Sequence, residues 1–236
     1  MTRALRLTDA GQAALPLVSQ GLERLAEALD TIKAQSDDGL LTISVSPSFG
    51  SMWLVPRLDQ FRQLHPEIEI RLDGTDRIVD VAKGDADVAV RYGPGSYTGV
   101  NSALLFSQRN TPVCHPDLIT DDTPLREPSH LTQHTLLHID WKDAEASWQI
   151  WFLAAGLPRT DGIRGPRFSH ESMAVQAALD RQGVALVGDR LVADHLASGR
   201  LITPFTAALK TPLSFAYHLL TPKDALRQPK IEAFRS

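Results

Sequence analysis

The stretch "LTISVSPSFGSMWLVPRLDQFRQLHPEIEIRL" at residues 41–72 decides the fold of this chain. It begins with a run of apolar and β-branched residues that predicts a strand over Leu41–Ser46. After a polar loop, apolar residues at helical spacing predict a helix over Trp53–Leu64, and the alternation in Ile68–Leu72 predicts a second strand. Strands separated by a helix of this length are typical of βαβ units, so the sequence predicts an α/β protein with a mostly parallel sheet.

The same alternation continues along the rest of the sequence. A short helix over Ile78–Lys83, ended by Gly84, and a buried strand over Ala86–Tyr92 complete a first set. A second set follows, with the predicted strand Thr111–His115, helix Ala146–Ala155, helix Ser172–Arg181, strand Val184–Val187, helix Arg190–Leu196, strand Leu201–Thr203 and strand Leu213–Leu220. The doubling predicts two α/β lobes joined by two crossovers, near residues 109–113 and 211–216.

The composition narrows the class of protein. The chain has 236 residues, 43% of them hydrophobic and 22% charged, which is ordinary for a folded globular protein. Its net charge of −4 argues against strong nucleic-acid binding by this chain alone, because binding to phosphates needs clustered Lys and Arg. Cys114 is the single cysteine, so no disulfide can form within the chain. No apolar run is long enough for a transmembrane helix and no signal peptide pattern is present, so we expect a cytoplasmic protein that does not bind membranes.

A long amphipathic helix is predicted upstream of the α/β region, capped by Thr8 or Asp9 and followed by a polar break at 35–40. Its apolar positions recur at steps of three and four residues: Ala13, Ala14, Leu17, Gly21, Leu22, Leu25, Ala28, Leu29 and Ile32. A long helix with a narrow apolar stripe most often pairs with a second such helix, so we expect it to join two copies of the chain. The alternative is that this helix packs on its own domain.

The sequence carries no motif that predicts an enzyme, a metal centre or a cofactor site. Cys114 and His115 are adjacent in a predicted strand, so their side chains point to opposite faces and do not predict a catalytic pair. His130, His134 and His138 would share one face of a helix, where they could bind zinc. Their surroundings predict a loop that leads into a strand, where residues at this spacing do not lie close together.

Two polar loops stand where an α/β sheet binds ligands. "SPSFGSMW" at 46–53 follows the first strand, and "FSHESMAVQAAL" at 168–179 leads into a helix of the second set. The carboxyl ends of strands, next to free helix N–H groups, are the usual ligand-binding places in such sheets. Serines at helix starts can also be simple caps, but matching loops in two matching halves favour a ligand cleft between the lobes.

Taken in order, the motifs resemble those of the LysR-type transcriptional regulators, in the branch that contains the glycine-cleavage activator and the β-lactamase regulator AmpR. The resemblance runs from Thr2 to Arg235. It rests on "LTDAGQAALP" at 7–16, the stretch at 41–72, "DVAKGDADVAVRYGPG" at 80–95, "TPVCHPDL" at 111–118 and "GPRFSHESMAVQAALDRQGVALVGDRLVADHLASGRL" at 165–201.

This resemblance implies a domain organisation. It implies two Rossmann-like lobes of the type 2 periplasmic-binding-protein fold, preceded by a long linker helix. Residues 1–35 would hold a wing remnant at Thr2–Leu7 and the linker helix, and residues 40–236 the effector-binding domain. Lobe I would span about 40–110 and 213–236, and lobe II about 111–212. The winged helix-turn-helix that precedes "LTDAG" in the family looks absent from this chain.

The resemblance also implies partners. These are a small-molecule effector and further copies of the chain, as a dimer, or as a tetramer in the full-length form. DNA would be bound only through the missing N-terminal domain.

Carried over residue by residue, the resemblance implies that the effector contacts Ser48, Phe49, Asp80, Arg91, Tyr92, Ser169, His170, Glu171 and Ser172. Ser48 and Ser172 would face each other beside helix N-termini, which favour an anionic group, and Asp80 would meet an amine or a hydroxyl donor. We therefore expect a small polar or anionic metabolite, zwitterionic if both contacts hold, and no catalytic residue, metal or cofactor. A stand-alone cytosolic solute-binding protein is the alternative function, and a cytosolic enzyme on a two-lobed fold is a third.

Overall fold

A computed structural model describes residues 7–35, 39–140, 147–157, 165–205, 215–223 and 228–236. The chain divides into two compact units, Met1–Leu40 and Leu41–Ser236. The predicted strand at Thr2–Leu7, apart from its last residue, and most of the predicted crossover at 211–216 lie outside the described residues.

The described part of the first unit is the long helix α1 (Asp9–Gln35). Thr8 caps it, since the Gly11 N–H donates to the Thr8 hydroxyl at 3.2 Å. The predicted helix is therefore confirmed. Several apolar side chains along it are exposed, among them Leu15, Val18, Leu22 and Leu25. None of the helices in the described ranges is long and apolar enough to cross a membrane.

The second unit alternates strands and helices. Its described strands are β1 (Leu40–Val45), β2 (Glu69–Gly74), β3 (Val88–Gly93), β4 (Val100–Phe106), β5 (Asn110–Val113), β6 (Leu136–Ile139), β7 (Arg167–Phe168), β8 (Val184–Gly188) and β9 (Ala216–Pro222). Its described α-helices are α2 (Pro47–Phe49), α3 (Leu58–Leu64), α4 (Trp148–Ala154), α5 (Glu171–Leu179), α6 (Ala193–Ala197) and α7 (Pro229–Arg235).

Five strands form the first sheet, in the order β2-β1-β3-β9-β4. β1 and β3 are parallel, with Ile43 opposite Val88, and β2 lies beside β1 at the edge of the sheet. β9 is antiparallel to both of its neighbours and places Tyr217 opposite Tyr92. The core of this lobe, lobe I, consists of buried apolar side chains that include Leu41, Ile43, Val45, Phe49, Leu54, Val88, Val90, Tyr217 and Ile231.

The second sheet, in the order β5-β8-β6-β7, belongs to lobe II. β6 is parallel to β7 and β8, and β5 is antiparallel to β8. The chain passes from lobe I to lobe II between Phe106 and Asn110, slightly before the predicted crossover. Two separate sheets confirm the predicted two-lobed α/β class.

In the part of the chain that the structure describes, Leu191 and Met52 connect the cores of the two lobes. Leu191 follows β8 in lobe II, yet it is buried in the core of lobe I. Met52 is partly buried and packs against both the lobe I core and a lobe II cluster. The lobes therefore share apolar contacts in addition to their two chain connections.

The first helical segment of lobe I begins earlier than the predicted Trp53. Pro47 occupies the first turn of α2, where its fixed backbone angle and missing N–H suit a helix start. A π-helical turn at Gly50–Leu54 and a 3₁₀ turn at Val55–Arg57 then connect α2 to α3. The polar loop expected after β1 is thus helical from its second residue, which buries Ser48, Phe49 and Leu54.

The predicted helix at Ile78–Lys83 is wrong apart from a 3₁₀ turn at Val81–Lys83. Asp80 has an extended backbone and caps this turn, because its carboxylate accepts the Lys83 N–H at 3.3 Å. Gly84 ends the turn with a φ of 81°, a left-handed conformation that glycine adopts without strain.

Strand β4 was not expected from the sequence, and the predicted strand Leu201–Thr203 is reduced to one bridge between Cys114 and Ile202. β4 lies at the edge of its sheet, and most of its side chains are exposed. An edge strand without a buried face lacks the alternation of apolar and polar residues from which strands are recognised.

Candidate functional site: a cleft between the lobes

A cavity of about 260 Å³ lies between the two lobes. Lobe I contributes the start of α2, the ends of β2 and β3, and the start of β9; lobe II contributes the end of β6 and the start of α5. The lining residues are Ser46, Pro47, Ser48, Asp76, Arg91, Tyr92, Ile139, Asp140, Ser169, His170, Glu171, Phe215 and Tyr217. This is the cleft that the two polar loops of the sequence predict.

Ser48 and Ser172 meet across the cleft. The Ser172 N–H at the start of α5 donates to the Ser48 hydroxyl at 3.0 Å, and the two hydroxyl oxygens are 3.5 Å apart. The expectation that these serines face each other is confirmed. Their contact is direct, so the Ser48 hydroxyl already satisfies the Ser172 amide that was expected to meet an anion.

Two further contacts join the lobes. His170 Nε2 lies 3.1 Å from the Asp76 carboxylate at the edge of the cleft, and the Ser169 hydroxyl contacts the other ring nitrogen at 2.9 Å. Farther away, Arg57 forms an ion pair with Asp194 at 3.3 Å. These polar contacts hold the lobes against each other and leave the cavity between them.

Arg91 brings a positive charge to the cleft wall and is itself held by lobe I. Its guanidinium donates to the Ser44 carbonyl at 2.9 Å, the Ser44 hydroxyl at 2.7 Å and the Arg77 carbonyl at 3.2 Å. These acceptors are uncharged, so they position the guanidinium without neutralising it. Burial lowers the pKa of Arg91 from its usual value, and the nearby Asp76 opposes this effect.

Glu171 is the most deeply buried charged group of the cleft, with 3% of its surface exposed. Its carboxylate accepts a hydrogen bond from the Gly188 N–H. Burial raises the pKa of Glu171 to about 7, although that hydrogen bond opposes the shift. Burial also raises the pKa of the neighbouring Tyr217 phenol well above its usual value, and the charge of Glu171 adds to this. Within the described residues, no Lys or Arg forms an ion pair with Glu171.

The structure brings seven of the nine sequence-predicted residues to the cleft or its edge. Of these, Ser172 lies behind the lining and contacts it through Ser48. The other two predicted residues, Phe49 and Asp80, are not part of it.

Phe49 is 1% exposed and lies in the lobe I core, with its ring 5.1 Å from that of Trp53 and 4.9 Å from that of Tyr217. Asp80 lines a different cavity of lobe I, and its carboxylate pairs with the Lys83 ammonium at 3.3 Å. The placement expected for these two residues is therefore corrected.

Sequence reasoning missed several lining residues, notably Ser46, Asp76, Asp140 and Tyr217. Ser46 and Asp76 follow β1 and β2 at their carboxyl ends, and this position alone could have identified them. Tyr217 comes from the returning antiparallel strand β9, for which the rule about carboxyl ends gives no signal.

The described residues contain no group of three or more His, Cys, Asp and Glu that could hold a metal ion. The three spaced histidines have separate surroundings. His130 Nδ1 accepts the Arg126 N–H at 3.2 Å, and His134 Nε2 lies 3.4 Å from the Pro124 carbonyl.

Two α/β lobes with polar residues from both sides around a shared cavity define a small-molecule-binding domain of the two-lobed type. Residues 34–236 match the sequence profile of the LysR substrate binding domain. The chain belongs to the LysR family of transcriptional regulators, and this part is its effector-binding domain.

Relatives agree with this assignment. The glycine cleavage system transcriptional activator of Escherichia coli K12 is 37% identical over 233 residues, which are 99% of this chain and 75% of the relative. The activator AmpR of Pseudomonas aeruginosa is 33% identical over 212 residues, covering 89% of this chain and 70% of the relative. These relatives are regulators, which confirms the expectation that the chain is not an enzyme.

Solved structures of LysR-type regulators share this fold. The crystal structure of the effector domain of P. aeruginosa AmpR superimposes with a TM-score of 0.67 at 34% identity and covers 83% of this chain and 92% of that chain. The regulatory domain of CrgA from Neisseria meningitidis, at 18% identity, has a TM-score of 0.68 and covers 84% and 95%. The LysR-type fold expected from the sequence is confirmed.

Proposed function

We propose that the cleft binds a small zwitterionic, amino-acid-like metabolite, and that its occupancy is the signal to which this regulator responds. The observation that carries the proposal is the charge of the cavity. Among the described residues, Asp76, Asp140 and Glu171 line it together with one guanidinium, that of Arg91. A ligand that matches this wall carries an ammonium group for the carboxylates and a carboxylate for Arg91.

Glu171 and Arg91 have different surroundings, and these support their assignment to the two ligand groups. Glu171 is buried, so an ammonium group beside it would compensate a charge that is costly to leave alone. The Arg91 guanidinium is fixed by uncharged acceptors, so its charge stays available to a ligand carboxylate. Asp76 and Asp140 are more exposed, and they already contact His170 at 3.1 Å and Arg167 at 3.3 Å. Glu171 is therefore the main partner for the ammonium group.

The dimensions of the cavity and the relatives also support a small ligand. A volume of about 260 Å³ lies just below the usual range of roughly 300–1,000 Å³ for small-molecule sites. One relative is named for the glycine cleavage system, and glycine is the smallest amino acid. The ligand contacts expected from the sequence are retained in this proposal for Arg91 and Glu171, and Asp76 takes the place of Asp80.

We expect glycine to bind in calorimetry, and acetate and methylamine, which each carry one of its charges, to bind much more weakly. Glu171→Gln removes the charged partner of the ammonium and should lower the affinity for glycine at least about tenfold. Asp122→Asn, in an exposed loop away from the cleft, is the matched control. Zwitterions that fail to bind, while acetate binds well, would contradict the proposal.

The same titration has a pH dependence. Because the pKa of Glu171 is raised to about 7, this group is protonated below that pH and charged above it. The affinity for glycine should therefore fall about tenfold between pH 8 and pH 6. Glu171→Gln keeps Asp76, Asp140, His170 and Tyr217 in place, so loss of the pH dependence in this variant assigns it to Glu171.

The proposal extends to assembly and location. The exposed side chains Leu15, Val18, Leu22 and Leu25 of α1 recur at alternating steps of three and four, the spacing of a two-stranded coiled coil. We take α1 as the dimerisation helix, and a tetramer as the form of the whole regulator. The acidic effector-binding domain suits DNA contacts made by another part of the protein, in the cytoplasm.

Leu25→Asp should dissociate the dimer, because it places an unpaired charge in the apolar stripe of α1. Sedimentation at tens of micromolar protein is the measurement. Gln20→Asp, on the opposite face of the same helix, is the matched control and should leave the dimer intact. A wild-type chain that is already monomeric would refute this role of α1.

A further inference from the structure

Lobe I contains a second cavity, of about 600 Å³, more than twice the volume of the cleft cavity. Its floor consists of the buried Val81, Ala89 and Leu220, against which Val79, Tyr97 and Val100 pack. This apolar cluster is separate from the main core of lobe I. We call this second cavity the lobe I chamber.

The lobe I chamber adjoins the cleft. Asp76, Arg91, Tyr92 and Phe215 line both cavities. The rings of Tyr92 and Phe215 meet edge to face with their centroids 5.7 Å apart, so side chains form the wall between the two spaces. A ligand held in the cleft can extend into the chamber by displacing side chains, without any change in the strands.

The rim of the lobe I chamber shows which chemistry it favours. Its carboxylates already have partners, since Asp80 pairs with Lys83 and Asp85 accepts the Asp80 N–H at 2.9 Å. Ile78, which also lines the chamber, is 99% exposed. A nonpolar group that covers both this exposed side chain and the apolar floor removes apolar surface from water, and this favours binding. Burial also raises the pKa of the Tyr97 phenol, with Arg91 opposing, as expected at a poorly hydrated wall.

We propose that the lobe I chamber binds an apolar arm of the effector, so that the effector is an amino-acid-like zwitterion with an aromatic or large aliphatic side chain. The charged head of this ligand rests on the proposed function of the cleft. The apolar arm rests on the chamber alone, and the two parts are tested separately.

Three probes separate the head from the arm in calorimetry on the 236-residue chain. Glycine carries the head alone, indole carries the arm alone, and L-tryptophan carries both. Thr98→Trp adds a large ring at the rim of the chamber and should weaken indole and L-tryptophan at least about tenfold while glycine is unaffected. Glu171→Gln should weaken glycine and L-tryptophan and leave indole unchanged.

Matched variants keep the result unambiguous. Ser96→Trp adds the same ring to the same exposed loop outside the chamber lining and should change nothing. Val79→Trp is a second variant that fills the chamber, from a different loop. It covers the case in which the ring introduced at position 98 points to solvent. Thermal unfolding of every variant establishes that it is folded.

The chamber proposal is refuted if indole does not bind the wild-type chain, or binds Thr98→Trp and Val79→Trp as tightly as the wild type. Either result leaves the glycine titration, and with it the proposed function of the cleft, intact. Conversely, indole binding that Thr98→Trp abolishes supports the chamber even if glycine fails to bind, an outcome that contradicts only the zwitterionic head.

Discussion

Glu171→Gln is expected to raise the free energy of unfolding by about 3 kcal/mol at pH 8 and to change it little at pH 4. The wild-type carboxyl has a pKa raised by burial from 4.5 to about 7. A group whose pKa is raised on folding contributes stability that is fully present below its unfolded pKa and lost as the pH rises through its folded pKa. Glutamine keeps an oxygen that can accept the Gly188 N–H and has no charge to bury.

Urea unfolding curves at pH 4 and pH 8 measure this effect. Glu69→Gln replaces an exposed carboxylate in β2 and serves as the control, with no comparable change at either pH. Equal stability of Glu171→Gln and wild type at pH 8 would show that the buried carboxylate has a cation partner in solution. A gain in stability in Glu171→Gln, together with a loss of glycine affinity, would show that Glu171 serves ligand binding although it lowers the stability of the fold.

Phe49→Ala is expected to lower the free energy of unfolding by about 4 kcal/mol, in the usual range for removing a buried phenylalanine ring. The ring is buried and contacts three aromatic rings, with Phe106 at 6.2 Å in addition to Trp53 and Tyr217. Chemical denaturation followed by tryptophan fluorescence, to which Trp53 contributes, is a direct measurement.

The preceding residue provides the control for Phe49→Ala. Ser48→Ala removes a hydrogen bond between the lobes and no core volume, so its cost should be about 1 kcal/mol. If Phe49→Ala cost as little as Ser48→Ala but abolished ligand binding, the original expectation of a ligand contact at Phe49 would be correct and its core position wrong.

The βαβ pattern of residues 41–92 could be predicted because parallel strands buried in a sheet and helices with one apolar face leave different periods in the sequence. Phe49 was misassigned because helix formation starts at Pro47, and a helix turns a residue inward that an open loop would present to a ligand. Asp80 was misassigned because its carboxylate is used to cap the following turn. Of the lining residues that were missed, Ser46, Asp76 and Asp140 follow strands at their carboxyl ends. Tyr217 comes from β9, and only the tertiary pairing of that distant strand brings it to the cleft.

Leu191 has a consequence for how the domain melts. A side chain that belongs to lobe II by sequence but is buried in the core of lobe I cannot stay covered when either lobe unfolds alone. Met52 belongs to lobe I by sequence and packs against apolar clusters of both lobes, so it also loses contacts when either lobe unfolds alone. We therefore expect the two lobes to unfold as a single cooperative unit, because unfolding either lobe exposes apolar surface that the other lobe covers.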